Sequence, residues 1–157
     1  MSWQRFQSDA PELAADGKQL LEQTRIAVVG TVRSDGSPRI SSIEPVILDG
    51  ALYLGMMWQS RKALDLLRDP RIVLRNAICT STGDETEIIL RGRAVAIHDP
   101  ETRRRYVDAV AERIAWREPN FHLFVVDVES VALIRYGDGQ QAVQLWPQGV
   151  AFQRPYG

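Results

Sequence analysis

The sequence predicts a mainly β protein whose strands form an antiparallel sheet that closes into a barrel. Segments of strand-like composition follow one another in hairpin-connected runs rather than alternating with long helices, which is typical of antiparallel sheets. Six or seven such strands would leave two exposed sheet edges, and closure into a barrel removes them. The 157 residues suffice for a single domain, with a helical segment at 1–24 and a tail at 137–157.

The N-terminal segment is expected to be helical because it is amphipathic. Ser8 or Asp9 can cap a helix that begins at Pro11, and leucines give that helix a weak apolar stripe. Gly17 interrupts the pattern, so two short helical turns are an alternative to one helix.

Three strands are expected to follow in hairpin order. Residues 26–32 are apolar on both faces, which is typical of a central strand. Within residues 39–48 the apolar alternation breaks and Pro45 lacks a backbone donor, so we expect a bulge or a sheet edge there. Asp49-Gly50 predicts a two-residue hairpin turn, after which residues 51–57 return as the third strand.

The second half of the chain is expected to contain two helices and the remaining strands. One short helix runs from Ser60 to Arg68, and a second begins at Asp99-Pro100, a cap followed by proline, and continues to about Trp116. Further strands are expected at residues 71–78, 85–97, 121–128 and 130–136.

Composition and charge exclude several classes of function. The net charge is −1, from 19 basic and 20 acidic residues, which does not suit a protein that coats nucleic acid or an anionic membrane. No apolar stretch is long enough to cross a bilayer, and the polar N-terminus lacks a secretory signal pattern. The single cysteine, Cys79, excludes an intrachain disulfide and a multi-cysteine zinc site. We therefore expect a cytoplasmic protein that does not bind a metal, nucleic acid or membrane.

The most informative segment, residues 56–62, leads from a strand directly into the start of a helix. A helix start is positive because of its unpaired amides and its dipole, so Arg61 and Lys62 are each unfavourable there by about 0.3–1 kcal/mol. A bound anion such as phosphate would remove the conflict, because the amides, the Ser60 hydroxyl and both cations would converge on it. Alternatively, Ser60 is only a cap and the cations are solvated. Arg39 is a further candidate cation, although a lone arginine is most often a surface residue.

Several motifs between about residues 20 and 98 occur together in one known family. They are Val29-Gly30-Thr31-Val32, Asp35-Gly36-Ser37-Pro38-Arg39-Ile40-Ser41-Ser42, Leu52-Tyr53-Leu54-Gly55, Ser60-Arg61-Lys62 and Asp69-Pro70-Arg71. In these motifs the chain resembles the pyridoxamine 5′-phosphate oxidase-like family of FMN-binding split barrels. The resemblance implies a six-stranded antiparallel split β-barrel that forms a homodimer with two FMN sites in its interface. It also implies a flavin-dependent oxidoreductase that acts on a small molecule.

The resemblance also implies which residues form the site. Arg39, Arg61 and Lys62 would hold the FMN phosphate, while the strand from Arg39 would run beside the flavin ring and ribityl chain. The expected cofactor-binding residues are Arg39, Ile40, Ser41, Ser42, Gly55, Met56, Ser60, Arg61 and Lys62. The substrate pocket is expected to be lined by Met57, Trp58 and Trp146, with the tail aromatic residue contributed by either subunit.

Departures from the family pattern leave alternatives open. True pyridoxine-phosphate oxidases carry a lysine at the position of Glu44 and a glutamine at the best match to Glu87, so oxidation of vitamin B6 is not expected. One alternative is a reductase that uses the deazaflavin coenzyme F420 in a wider basic groove, and another is a flavin-binding module without turnover. The residues that would widen the groove are Arg75, Arg91 and Arg93.

No spacing of residues indicates nucleophilic catalysis by the chain itself. His122 is expected to be structural, although a histidine could bind haem iron in haem-degrading relatives of this fold. The flavin would carry the electrons, so no general acid or base is assigned.

Overall fold

The strands of the protein form one antiparallel sheet. The computed structural model describes residues 2–113 and 119–155. The helices in this part of the chain are α1 (Trp3–Asp9), α2 (Pro11–Thr24), α3 (Arg61–Arg68) and α4 (Pro100–Ala111). The strands are β1 (Ala27–Val32), β2 (Pro38–Ile43), β3 (Pro45–Leu48), β4 (Ala51–Met57), β5 (Arg71–Asn76), β6 (Thr86–Ala96), β7 (Phe121–Gly137), β8 (Gln140–Trp146) and β9 (Val150–Pro155). Every strand pair is antiparallel, which confirms the predicted fold class.

The sheet follows the order β2-β1-β5-β6-β7-β4-β3, with the hairpin of β8 and β9 attached to β7. The long strand β7 makes this arrangement possible because its first half pairs with β4 and its second half with β8. Strand β6 pairs with both halves and shifts register between Arg91 and Gly92, as in a β-bulge. The two strands that we predicted on either side of Glu129 are therefore one strand.

The two edges of this path are joined by a single residue, Glu44. Strand β2 pairs with β1 at one edge, and β3 pairs with β4 at the other. No ladder joins β2 to β4 in the described part of the chain, so the sheet does not close and the expectation of a closed barrel is wrong. The interruption between β2 and β3 lies directly before Pro45, within the segment where the sequence predicted a bulge or a sheet edge. When β2 and β3 are counted as one bent strand, the path has six members, as in a split barrel.

The two N-terminal helices cover one end of the core. Trp3 and Phe6 of α1 are buried and their rings pack edge to face, with centroids 5.2 Å apart. Helix α2 is continuous through Gly17, so the alternative of two short turns is wrong. A Cβ atom at Gly17 would overlap the side chain of Ile88, and glycine therefore allows α2 to lie close against β6.

The remaining differences from the sequence-based expectations lie at element ends. The strand predicted for residues 71–78 ends at Asn76, whose buried amide group donates to Thr86 O and accepts from Ile88 N–H. The tail is not irregular but forms the hairpin of β8 and β9. The predicted end of the second helix, Trp116, lies outside the described residues. Within the described chain, no helix is both long and apolar enough to cross a membrane.

Candidate functional site

A groove of about 330 Å³ opens where the end of β2 approaches β4. Sites for small molecules commonly measure about 300–1,000 Å³ and are mostly apolar. The groove is lined by Ile26, Ser42, Ile43, Glu44, Gly55, Met56, Met57, Lys62 and Tyr106. Its walls are therefore largely apolar, with one carboxylate, one ammonium group and one phenol.

A tight turn connects β4 to α3 beside this groove. The Ser60 N–H donates to Met57 O over 3.1 Å, and Gln59 adopts a φ of 58° within the turn. Ser60 stands at the N-cap of α3, but its hydroxyl makes no capping bond. The Ser60 Oγ atom is buried and has no hydrogen-bond partner in the described structure. Because an unsatisfied buried polar group costs about 1–3 kcal/mol, a ligand acceptor at this position would be stabilising.

Two cations follow Ser60 at the start of α3. Lys62 Nζ donates to Ser42 O over 2.5 Å and so connects α3 to β2. Desolvation lowers the pKa of Lys62, and the nearby carboxylate of Glu44 partly offsets this effect. Arg61 is exposed. No carboxylate of residues 2–113 or 119–155 lies within ion-pair distance of Arg61 or Lys62, so the helix start keeps its positive charge.

Arg39 of β2 forms an ion pair with Asp65 of α3. The Arg39 Nε donates to Asp65 Oδ2 over 2.6 Å, and the Thr31 hydroxyl donates to the same oxygen over 2.9 Å. Arg68 also pairs with this carboxylate, at 3.3 Å. Burial alone would raise the pKa of Asp65, but the hydrogen bonds from Arg39, Thr31 and Arg68 outweigh it and lower the pKa. Arg39 is therefore fixed next to α3 although it does not line the groove.

Tyr106 of α4 reaches the groove opposite Gly55. A Cβ atom at Gly55 would overlap the Tyr106 hydroxyl, so glycine is required for this approach. Tyr106 is buried, and desolvation raises its pKa to about 12, with a further contribution from Glu44. The hydroxyl is therefore protonated over the physiological range. Tyr106 was not among the site residues expected from the sequence. The only indication was its phenolic hydroxyl group, carried on the apolar face of a helix that is rich in arginine.

The structure brings together only part of the expected cofactor site. Ser42, Gly55, Met56 and Lys62 line the groove, together with Met57 from the expected substrate pocket. Ser60 closes the turn and Arg61 follows it as the first residue of α3, and neither of them lines the groove. Ile40 and Ser41 do not line it. Ile40 is 76% exposed, and Ser41 shares the other face of β2 with Arg39.

The two tryptophans expected in the substrate pocket have different surroundings. Trp58 is 56% exposed and stacks on the ring of His122, with centroids 4.5 Å apart, just outside the groove. Trp146 is 4% exposed, packs on Phe6 and donates its indole N–H to Asp9 Oδ2 over 3.3 Å. It lines a separate cleft of about 620 Å³ between the start of α2 and the β8–β9 hairpin. Trp146 therefore belongs to the core of its own chain and does not line the groove.

The residues of the alternative basic groove are not gathered at this site. Arg75 pairs with Glu87 over 2.9 Å on neighbouring strands. Arg91 and Arg93 alternate with buried residues along β6 and point to its exposed face. None of the three arginines lines the groove.

A protein-family model matches most of the chain. The model described as pyridoxamine 5′-phosphate oxidase matches residues 13–135, which include the groove, the turn and α3. No curated protein matches the chain by sequence.

Solved structures share the fold at low sequence identity. The general stress protein 26 from Bacillus anthracis is 22% identical, with a TM-score of 0.59 over 74% of this chain and 88% of that one. The haem storage protein HutZ from Vibrio cholerae is 16% identical, with a TM-score of 0.66 over 80% and 95% of the two chains. A haem-binding protein from Mycobacterium smegmatis is 21% identical, with a TM-score of 0.66 over 84% of this chain and 57% of that one. At these identities the similarity establishes the architecture alone.

Proposed function

Because the chain belongs to the pyridoxamine 5′-phosphate oxidase family, we propose that it binds FMN and acts as a flavin-dependent oxidoreductase on a small molecule. One observation carries this proposal. The unsatisfied Ser60 hydroxyl and two cations without carboxylate partners in the described chain follow one another at the start of α3, and Lys62 among them lines a largely apolar groove. A ligand with an anionic group at one end and an apolar planar ring along the rest of its length would complement this surface.

The residues divide between the two ends of such a ligand. Ser60, Arg61 and Lys62 would hold the phosphate, because amides, hydroxyl and cations at a helix start favour an anion. Arg39 would add charge there, since Asp65 occupies its Nε and leaves its Nη groups without a protein acceptor in the described structure. Ser42 and Met56 would border the remainder of the cofactor.

The bound flavin would supply the electron transfer, so the chain's own tasks are binding, shielding and orientation. The apolar side chains of Ile43 and Met56 exclude water from the groove wall. The protonated hydroxyl of Tyr106 offers a neutral hydrogen-bond donor. Glu44 places negative charge at the groove, which disfavours a second anionic molecule there and argues against a phosphorylated B6 vitamer as substrate.

We also propose that the protein is a homodimer with its cofactor sites near the interface. Ile40 and Val73 are 76% and 37% exposed and flank Gly30 in one row across β2, β1 and β5. Met57, which lines the groove, and Trp58, which lies next to it, are also exposed apolar side chains. Burying these side chains against a second copy would be favourable at about 25 cal/mol for each Å² of apolar surface.

Neither alternative cofactor gains support from a specific contact. Haem iron is commonly held by a histidine nitrogen, and His122 Nε2 accepts the Gln59 N–H over 3.3 Å, so this nitrogen is not available to iron in the present arrangement. His98 is exposed and does not line the groove. Coenzyme F420 would need a broader basic surface, and Arg75 is already paired with Glu87.

The absorption spectrum and the mass of any co-purifying ligand test the cofactor assignment. We expect a flavin spectrum and the mass of FMN, or saturable binding when the purified protein is titrated with FMN. A haem Soret band or the mass of F420 would identify the other cofactor and contradict the assignment. Consumption of reductant with a test quinone or dye then separates an oxidoreductase from a flavin carrier.

A further inference from the structure

The turn before α3 has a backbone conformation that requires support. Gln59 has a φ of 58°, in the left-handed region that residues other than glycine rarely adopt. It occupies the third position of the turn closed by the Ser60 N–H and Met57 O. Such conformations persist when surrounding contacts determine them. The orientation of α3 relative to β4 therefore depends on the contacts that keep Gln59 in this conformation.

His122 of β7 supplies that support through two contacts. Its Nε2 atom accepts the Gln59 N–H over 3.3 Å. Its ring stacks on Trp58, with centroids 4.5 Å apart and planes inclined by 10°. Both central residues of the turn thus contact one imidazole, which is itself fixed opposite Met56 in the β4–β7 ladder.

The hydrogen bond requires a neutral imidazole. Nε2 accepts only when it carries no proton, so the ring proton of the neutral form lies on Nδ1. Protonation would place an Nε2–H against the Gln59 N–H and break the bond. The charged and titratable groups that act electrostatically on the ring are Arg103 of α4 and His98 of the segment between β6 and α4. Desolvation lowers the pKa of His122, and the charges of Arg103 and His98 lower it further, so the accepting form dominates at neutral pH.

We propose that neutral His122 is a positioning residue for the turn of residues 57–60. It holds this turn, and with it the start of α3, in the arrangement that binds the cofactor phosphate. Protonation of His122 releases the turn. The part that concerns phosphate rests on the proposed FMN site. The part that concerns the turn stands on the contacts of the chain alone.

The first test follows the turn without any ligand. The chain has two histidines, so both imidazoles can be assigned in long-range nitrogen–proton NMR spectra of the wild-type protein from pH 8 to 5. We expect an unprotonated Nε2 at His122 at pH 8, and movement of the Gln59 amide and Trp58 indole signals with the same midpoint as the His122 titration. A His122 titration that leaves the Gln59 amide unmoved would overturn the proposal, whether or not FMN binds.

The second test compares FMN affinity at pH 8 and pH 5.5 in three proteins. His122→Phe keeps a ring for stacking but removes the acceptor, and His98→Gln removes the other histidine as a control. The second ionisation of the FMN phosphate, with a pKa of about 6, affects all three proteins equally. Beyond that shared effect, the wild type and His98→Gln should lose about three- to tenfold in affinity at pH 5.5, as expected for one hydrogen bond, and His122→Phe should not.

The outcomes separate this inference from the proposed function. Equal pH dependence in the wild type and His122→Phe would overturn the positioning role while leaving FMN binding intact. If the wild type binds no FMN at pH 8, the FMN assignment fails, and the NMR titration alone decides whether His122 holds the turn.

Discussion

The hydroxyl group of Tyr106 occupies the space that a side chain at Gly55 would need. This contact joins α4 to β4 at the floor of the groove and fixes the phenol there. The change Gly55→Ala should therefore force the two elements apart, at a cost of about 1–3 kcal/mol in the free energy of unfolding. Thermal unfolding followed by circular dichroism measures this loss. The double change Gly55→Ala with Tyr106→Phe removes the most severe of these collisions, leaving ring carbons at 2.8 and 3.0 Å from the new Cβ, and should recover part of the stability. No recovery in the double variant would contradict this account of the contact.

Removing both cations at the start of α3 should weaken FMN binding. For Arg61→Ala combined with Lys62→Ala we expect a loss of several kcal/mol, because a charge-assisted contact is worth about 1.5–3 kcal/mol. Titration followed by flavin fluorescence gives the affinity. Riboflavin, which lacks the phosphate, is the control ligand, and its affinity should change little. Unchanged FMN affinity in the double variant would count heavily against a phosphate site at this helix start.

The carboxylate of Asp65 should make the stability of the protein depend on acid pH. Its pKa is lowered in the folded protein, so the unfolded chain binds the proton more tightly. The stabilisation is therefore complete above the ordinary aspartate pKa of 3.8 and is lost as the pH falls through the lower folded value. Asp65→Asn should cost about 3 kcal/mol at pH 7, because it leaves Arg39 without its partner. Its unfolding free energy, measured by urea unfolding, should approach that of the wild type as the pH falls below the lowered pKa of Asp65.

An exposed pair is the control for that prediction. Asp108 pairs with Arg104 over 3.7 Å, and the two side chains are 66% and 68% exposed. Because exposed ion pairs contribute little, Asp108→Asn should leave the urea unfolding midpoint at pH 7 almost unchanged. A loss at Asp108 as large as that at Asp65 would show that burial is not what distinguishes the two pairs.

A charge at position 40 should disrupt the proposed dimer. Ile40→Glu places a carboxylate in the row of exposed apolar side chains that includes Val73, where burial against a second copy would be costly. Analytical ultracentrifugation should detect a shift from dimer to monomer. Phe152→Glu, on β9 at the other end of the sheet, is the control and should leave the mass unchanged. A dimer that survives Ile40→Glu would place the interface elsewhere.

Local turn chemistry explains why much of the sheet could be predicted. Asp49 and Gly50 have positive φ values of 49° and 72°, as their two-residue turn requires. The same dipeptide recurs at Asp138-Gly139, with φ values of 50° and 71°, and turns β7 into β8. Sequence reasoning treated that region as a tail, although it carried an equal signal.

The parts of the site that could not be predicted depend on contacts between distant residues. The motif Ser60-Arg61-Lys62 is local, and its charge conflict is visible without a structure. Asp65 and Arg39 are 26 residues apart, and their pairing depends on where α3 lies over the sheet. Trp146 shows the converse, because an aromatic residue near the C-terminus gives no indication whether it faces a ligand or the protein core.

The single residue that joins the two rims of the sheet has a mechanical consequence. Strands β2 and β3 meet at Glu44 without any ladder across the gap between β2 and β4 in the described chain. The spacing of β2 and β4 is therefore not set by hydrogen bonds between these two strands in the described chain. Since Glu44 also lines the groove, exchanging this residue is a way to alter the shape of the groove without changing a residue of the buried core.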